Sequence, residues 1–484
     1  MADGEEERNG EGEGQGEEGQ EEEVFMPEDA EVVADLEGQA SESDEEDEDM
    51  EAMMLEEDQV PDEVFEVERD DACACLVADS GSGEASGSGA ANETASAKPV
   101  YAVKWNKTDP SIAACGGEDD RVRLWKPFHA GGPNSITLSA HSDSVVALDF
   151  DSSGRLLASG GMDGKVCVWS AITGKLLCSL EGPGEAVEFV KWHPMGRVLL
   201  AGSEDMTLWM WNVVVSGEDD QQQHDNLKCE GQCMQVFTGH NSSVTCGGFT
   251  PNGKLIVSAS LDDTVRVWNP RTGECQHTFS FQNQASAHDD SSMGEDEQRG
   301  ITCLDFSPDS SMVLCGCIDG AAHLVNVNTN RVLWKLGGSG NAADSMAHSA
   351  GQQLPSGHED SVETVAFHPA GQPLVATGSL DGLLIIWDAN TSSPRIVCRH
   401  PRGVIRVQWA LAAGSSHPPG SAVHDLSIYT CGLDGRVRLW DARSGNCDKE
   451  FQGFVKSVLD MDVSPNGVSA IAGSDDGTAR VFSS

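Results

Sequence analysis

Eight aspartates, Asp119, Asp163, Asp205, Asp262, Asp319, Asp381, Asp434 and Asp476, punctuate the chain from residue 99 to its end. Six places after each stands Trp125, Trp169, Trp211, Trp268, Val325, Trp387, Trp440 or Phe482. Six of these eight are Trp in a chain with 11 Trp, so the spacing is a repeat rather than coincidence. The unit is an apolar strand, a turn, a second strand with Ser or Thr, an Asp turn, and a third strand ending in Trp. Its clearest copy runs from 239 to 269, GHNSSVTCGGFTPNGKLIVSASLDDTVRVWN. Histidines keep the same register: His141, His240, His358 and His400 lie four residues before Val145, Val244, Val362 and Val404. Recognising the repeat comes before reading the length, because 484 residues would otherwise suggest about three separate domains.

Units of about 40 residues with GH and W-D signals resemble WD40 repeats, each one blade of a β-propeller. The expected fold is therefore all-β, an eight-bladed WD40 β-propeller over 71–484, preceded by a disordered acidic tail over 1–70. Each blade is expected to be held by a buried network. The full sets are His141, Ser159, Asp163 and Trp169; His240, Ser258, Asp262 and Trp268; His358, Thr377, Asp381 and Trp387; and His400, Thr430, Asp434 and Trp440. Such a network is costly to leave partly satisfied. Its recurrence at one register marks the His, Ser and Asp as structural, not as a catalytic triad, and no enzyme activity is expected.

The last unit stops after its third strand, while DACACLVADS at 71–80 is a strand-like run with no other place. Pairing the two would close the ring and remove exposed sheet edges. GSGEASGSGAANETASA at 81–97 then reads as a flexible linker. Insertions 282–299 and 338–357 link blades and belong on the rim that carries the Asp turns, called the top. Insertions 214–232 and 411–424 fall between strands of one blade, on the opposite rim.

Loops on a rigid scaffold usually carry binding. The residues just before the Asp anchors, Glu118, Met162, Glu204, Leu261, Ile318, Leu380, Leu433 and Asp475, are expected to face the top. Asp143, Glu185, Glu359 and Asp360 in the inter-blade turns add charge. Acids on blades 8, 1 and 3 opposite aliphatics on blades 4–7 suit a basic protein or peptide with apolar anchors.

Charge is unevenly spread. Residues 1–98 hold 36 Asp/Glu against Arg8, Arg69 and Lys98, a net of −33; the remainder holds 44 against 27, a net of −17. The tail, densest at SESDEEDED (41–49), cannot bury enough apolar surface to offset its entropy. It reads as a solubilising segment or a lure for a basic partner, and Ser41 and Ser43 are candidate phosphorylation sites. A negative propeller without a Lys/Arg stripe argues against direct nucleic-acid binding. No window reaches the roughly 18–20 apolar residues of a membrane span, and the N-terminus lacks a signal-peptide pattern. The 15 cysteines are then expected as reduced thiols in the cytoplasm, with access to the nucleus. A closed ring needs no partner to fold, so a monomer is expected.

Phosphate-loop, zinc-protease and nucleophile-elbow motifs are absent in any fitting context. Cys73/Cys75, Cys315/Cys317 and Cys229/Cys233 read as strand residues rather than metal ligands, since a zinc site takes four. No metal or cofactor is expected. Trp440-Asp441-Ala442-Arg443 is a W-D-x-R motif, which resembles the docking motif of some WD40 proteins for cullin-4 ligase adaptors.

The stretches CGGEDDRVRLW, WHPMGRVLLAGSEDMTLWMWNV and YTCGLDGRVRLWDARSG resemble the angio-associated migratory cell protein family, over about 99–484 and in the acidic character of the tail. Blades 5 (Val325) and 8 (Phe454 and Phe482) depart from the ideal repeat. The resemblance implies a binding protein. Fungal relatives chaperone the basic large-subunit ribosomal protein uL16 on an acidic propeller face, and animal members are linked to cell migration. The leading expectation is a chaperone for a basic ribosomal protein during large-subunit assembly. The alternatives are a signalling or migration scaffold and a cullin-4 ligase substrate receptor.

Overall fold

The computed structural model describes residues 64, 65, 67, 69–77, 98–128, 134–216, 228–281, 299–337, 354–410 and 423–484. The acidic tail up to 63, the 81–97 linker and most of the 282–299, 338–357 and 411–424 insertions lie outside the described residues. Every helix or strand among the described residues is a β-strand, and the strands form eight antiparallel four-stranded sheets. Blade 1 runs Val100–Trp105, Ala113–Gly117, Arg121–Lys126 and Asn134–Ser139, strands a to d from the centre outward. Blades 2–7 repeat that order. Blade 8 takes strands a to c from Val458–Val463, Ser469–Ser474 and Thr478–Ser483, and its outer strand from Ala74–Val77, which pairs Ala74 with Val481 and Val77 with Thr478.

Burial falls from the inside outward. In blade 2, strand b (Leu156–Gly161) is buried at every residue, because blades flank both of its faces. In blade 1, strand d (Asn134–Ser139) is exposed at all but Leu138. Apolar clusters join neighbouring blades: Phe189, Leu200, Met210 and Phe237 of blade 3 pack with Phe249, Ile256 and Trp268 of blade 4. Ala74 and Val481 of blade 8 pack with Val100, Trp105 and Trp125 of blade 1, so the last blade meets the first in the same way.

The inner strands of different blades share no backbone ladder, and polar side chains bind them instead. Asp460 and Asp462 of blade 8 accept the Val103 and Trp105 N–H groups at 2.9 and 2.7 Å. Asp149 accepts from Trp192 at 2.8 Å and Asp305 from Phe367 at 2.7 Å. A backbone donor buried without an acceptor is expensive, so these carboxylates hold the ring shut.

The Asp turns sit on the rim shared with the links between blades. The residue after the Asp has positive φ in all eight: Asp120, Gly164, Met206, Asp263, Gly320, Gly382, Gly435 and Gly477. Gly fills five of these because it alone adopts that conformation without steric cost. The 214–232 insertion is partly regular, since Leu208–Ser216 and Lys228–Phe237 extend strands c and d of blade 3 into a long hairpin.

Candidate binding face

Three of the four expected networks form completely. In blade 2, His141 bonds Ser159 Oγ through Nε2 at 2.7 Å and Asp163 through Nδ1 at 3.0 Å, and Trp169 Nε1 donates to the same Oγ at 2.8 Å. Blade 4 repeats this with His240, Ser258, Asp262 and Trp268, and blade 6 with His358, Thr377, Asp381 and Trp387. The hydroxyl accepts from Trp and so donates to Nε2, which leaves the Nδ1 proton for the carboxylate. Burial pushes the Asp163, Asp262 and Asp381 carboxyls up, but backbone N–H groups and the His donors outweigh it and hold all three low. Ser159, Ser258 and Thr377 are fully buried, out of reach of any substrate.

Blade 7 corrects the fourth set. His400 bonds Thr430 at 2.8 Å and Trp440 donates to Thr430 at 2.9 Å, but Asp434 turns instead to Arg438, 2.7 Å away. His400 Nδ1 has no hydrogen-bond partner among the described residues, and burial with the Arg438 charge pushes its pKa down to about 3. In blade 1, which has no His at this position, Asp119 likewise pairs with Arg123. An Arg stands two residues before the Trp in both blades, but so does Arg266 in blade 4, where Asp262 keeps His240.

The eight residues before the anchors occupy one geometric position. Each donates its N–H, at 2.8–3.1 Å, to the carbonyl of the residue just before the first-strand Val or Ile: Glu118 to Pro99, Met162 to Ser144, Glu204 to Ala186, Leu261 to Ser243, Ile318 to Gly300, Leu380 to Ser361, Leu433 to Gly403 and Asp475 to Ser457. Met162 and Leu261 are 47% and 38% exposed, large values for apolar side chains. Leu261 and Ile318 converge on Gly300, and Leu380 lies on Gly403. Asp143, Glu185, Glu359 and Asp360 are exposed in the turns beside them. Not every acid is free, because Lys456 sits 3.3 Å from Asp475.

Strand a adds residues that the repeat pattern did not flag. In seven blades a bulge falls at its second residue: Tyr101, Val146, Glu188, Thr302, Glu363, Ile405 and Leu459. A bulge re-aims a side chain out of the ladder, and in blades 1 and 3 it brings Tyr101 and Glu188 toward pre-anchor acids. Burial raises the Tyr101 hydroxyl, and Glu118 and Asp475 raise it further. Glu188 is hydrogen-bonded to Glu204; burial and then the Glu204 charge push it up to about 7. Two carboxyls that share a proton form a site where an incoming cation can take that proton's place. The aliphatic arc also carries charge, with Glu363 in blade 6 and Asp263 near Asp319 and Arg299.

The family model for the WD domain, G-beta repeat, matches residues 92–126, 132–170, 174–212, 231–269, 274–326, 351–388, 400–441 and 445–483. Angio-associated migratory cell protein from Homo sapiens is 32% identical over 383 residues, 79% of this chain and 77% of that protein. The chain belongs to the WD40-repeat family, in the angio-associated migratory cell protein group. Two solved structures share the fold. Saccharomyces cerevisiae Sqt1 superposes with TM-score 0.62 at 21% identity, covering 80% of this chain and 96% of that one. Chaetomium thermophilum Sqt1 bound to the N-terminus of the ribosomal protein L10 gives 0.62 at 23%, covering 80% and 97%.

In this WD40 ring the central channel holds a cavity of about 480 Å³. Lys104, Lys191, Arg406, Asp305, Asp460 and Asp462 line it. Most of this charge is already engaged between blades, Lys104 with Asp462 at 3.0 Å and Arg406 with Asp460 at 2.9 Å. Arg443 of the W-D-x-R motif follows strand c of blade 7, hence lies on the opposite rim, bonded to Asp441 and His424.

Proposed function

We propose that the protein is a dedicated chaperone that holds a basic segment of a large-subunit ribosomal protein on its top rim until assembly. The observation that carries this reading is the arc of carboxylates on blades 8, 1 and 3, Asp475, Glu118, Glu188 and Glu204, facing exposed or half-exposed Leu261, Ile318, Leu380 and Leu433. Carboxylates that crowd one another gain from a partner's Lys or Arg, and the aliphatics supply apolar anchors. The L10 N-terminus bound to the Sqt1 of Chaetomium thermophilum supports a partner of this kind. The long acidic tail would add steering at a distance.

The test is capture from cell extract by the intact protein and by an E118K/E204K/D475K variant. One basic ribosomal protein recovered by the first and lost by the second is the expected result. Equal capture by both, or capture of no ribosomal protein, overturns the proposal.

A further inference from the structure

The boundary between blades 2 and 3 brings two thiols together. Cys178 lies in strand d of blade 2 (Leu176–Leu180), and Cys229 in strand d of blade 3 (Lys228–Phe237). Both pack on the apolar cluster that joins the two blades, beside Leu177, Trp209 and Val215. The two thiols are near enough to perturb each other, Cys229 raising the Cys178 thiol and Cys178 lowering that of Cys229. Gly231 is what permits the approach: a Cβ there would stand 1.9 Å from Leu180 Cδ2. Cys178 and Leu180 share one face of their strand, and Cys229 and Gly231 one face of theirs, since side chains alternate with period two. Leu180 over Gly231 and Cys178 over Cys229 are therefore successive steps of one seam. Both cysteines are half-buried, so a small reagent reaches them, whereas Cys167, Cys303, Cys315 and Cys431 are sealed in the core.

We propose that Cys178 and Cys229 are a redox-active pair that forms a reversible disulfide between blades 2 and 3 when a small disulfide such as oxidised glutathione is present. The Cys229 thiolate attacks one sulfur of that disulfide and expels one thiol. Cys178 loses its proton to solvent, attacks the Cys229 sulfur and expels the second thiol. The protein dithiol gives up two electrons, and the small disulfide is reduced to two thiols. The neighbouring Cys178 thiol, with the Arg197 charge, holds the Cys229 thiol low against the effect of burial, which makes it the attacking group. Cys233, four residues along the same strand, is exposed but lies roughly 13 Å from Cys229 in extended chain, beyond the roughly 7 Å between Cα atoms that a disulfide spans.

The experiment treats the native full-length protein with oxidised glutathione, blocks remaining thiols with iodoacetamide, and maps peptides without reduction. The expected result is a Cys178–Cys229 linked peptide pair, lighter by two hydrogens, with alkylation of both cysteines reduced about tenfold and restored by dithiothreitol. Cys178→Ser should abolish the link and leave Cys229 as a mixed disulfide with glutathione. The wild-type map alone decides the matter if that variant folds poorly. Full alkylation of both cysteines, separate glutathione adducts on each, or a link seen only after denaturation overturns the proposal.

Discussion

Ser258 illustrates how one hydroxyl can hold a blade: it accepts from Trp268 and donates to His240, both inside the core. Ser258→Ala leaves a buried indole N–H and a ring nitrogen unpaired, at a cost of about 1–3 kcal/mol, measurable by urea denaturation. The same networks set the response to acid. Asp163, Asp262 and Asp381 are held below their unfolded values, so their stabilisation is complete above roughly pH 4 and is lost as pH falls through the folded values. His400, pushed down to about 3, acts in the same direction, because the unfolded chain binds its proton first between about 6.5 and 3. Melting temperature should therefore fall steadily below pH 6. Glu188 has the opposite sign. Its folded value is raised to about 7, so its contribution is complete below the unfolded value and lost as pH rises through 7. Glu188→Gln should melt like the wild type at pH 4.5 and higher than it at pH 8; equal melting at pH 8 would remove the shared proton from this account.

At the scale of elements, two strands with atypical roles decide how the ring is fastened. Ala74–Val77 supplies the outer edge of blade 8, and the chain leading into it is tied down by Asp71 to Gln452 and by Phe65, whose N–H reaches the Val455 carbonyl at 2.7 Å. The Phe65 ring lies against Gly435, 5.2 Å from the Arg402 guanidinium. Deleting residues 1–63 should leave the melting temperature unchanged, whereas deleting 1–79 should lower it by exposing the Thr478–Ser483 edge; equal melting of the two deletions would refute a fastening role. In blade 3, Gly231 lets strand d lie on blade 2. Gly231→Val should cost about 1–3 kcal/mol through overpacking against Leu180, read from the denaturant midpoint.

Across the whole molecule, charge and shape are separable. The propeller carries −17 and the first 98 residues −33, and charges more than about 10 Å apart are screened at 0.1 M salt. Capture of a basic partner should therefore weaken as salt rises, with the full-length chain losing more than a chain lacking residues 1–63. A partner held equally at low and high salt would place its binding on the aliphatic arc alone. Within the channel, Lys104–Asp462 and Arg406–Asp460 engage their charge in joining blades, while Glu188 also lines it.

The number of blades and the register within each are legible in the sequence, because the His, Ser/Thr, Asp and Trp positions are fixed by contacts inside one repeat of about 40 residues. It likewise placed the pre-anchor residues on one rim, since every Asp turn is built alike. Tertiary structure alone decided the rest. Asp434 serves Arg438 rather than His400, a choice that the shared repeat register does not reveal. Asp460 and Asp462 lie far in sequence from Val103 and Trp105 and meet them only because the ring closes. Glu188 reaches Glu204 through a bulge, a backbone irregularity without a side-chain signature. Cys178 and Cys229 belong to different repeats, and no periodicity within a repeat could bring them together.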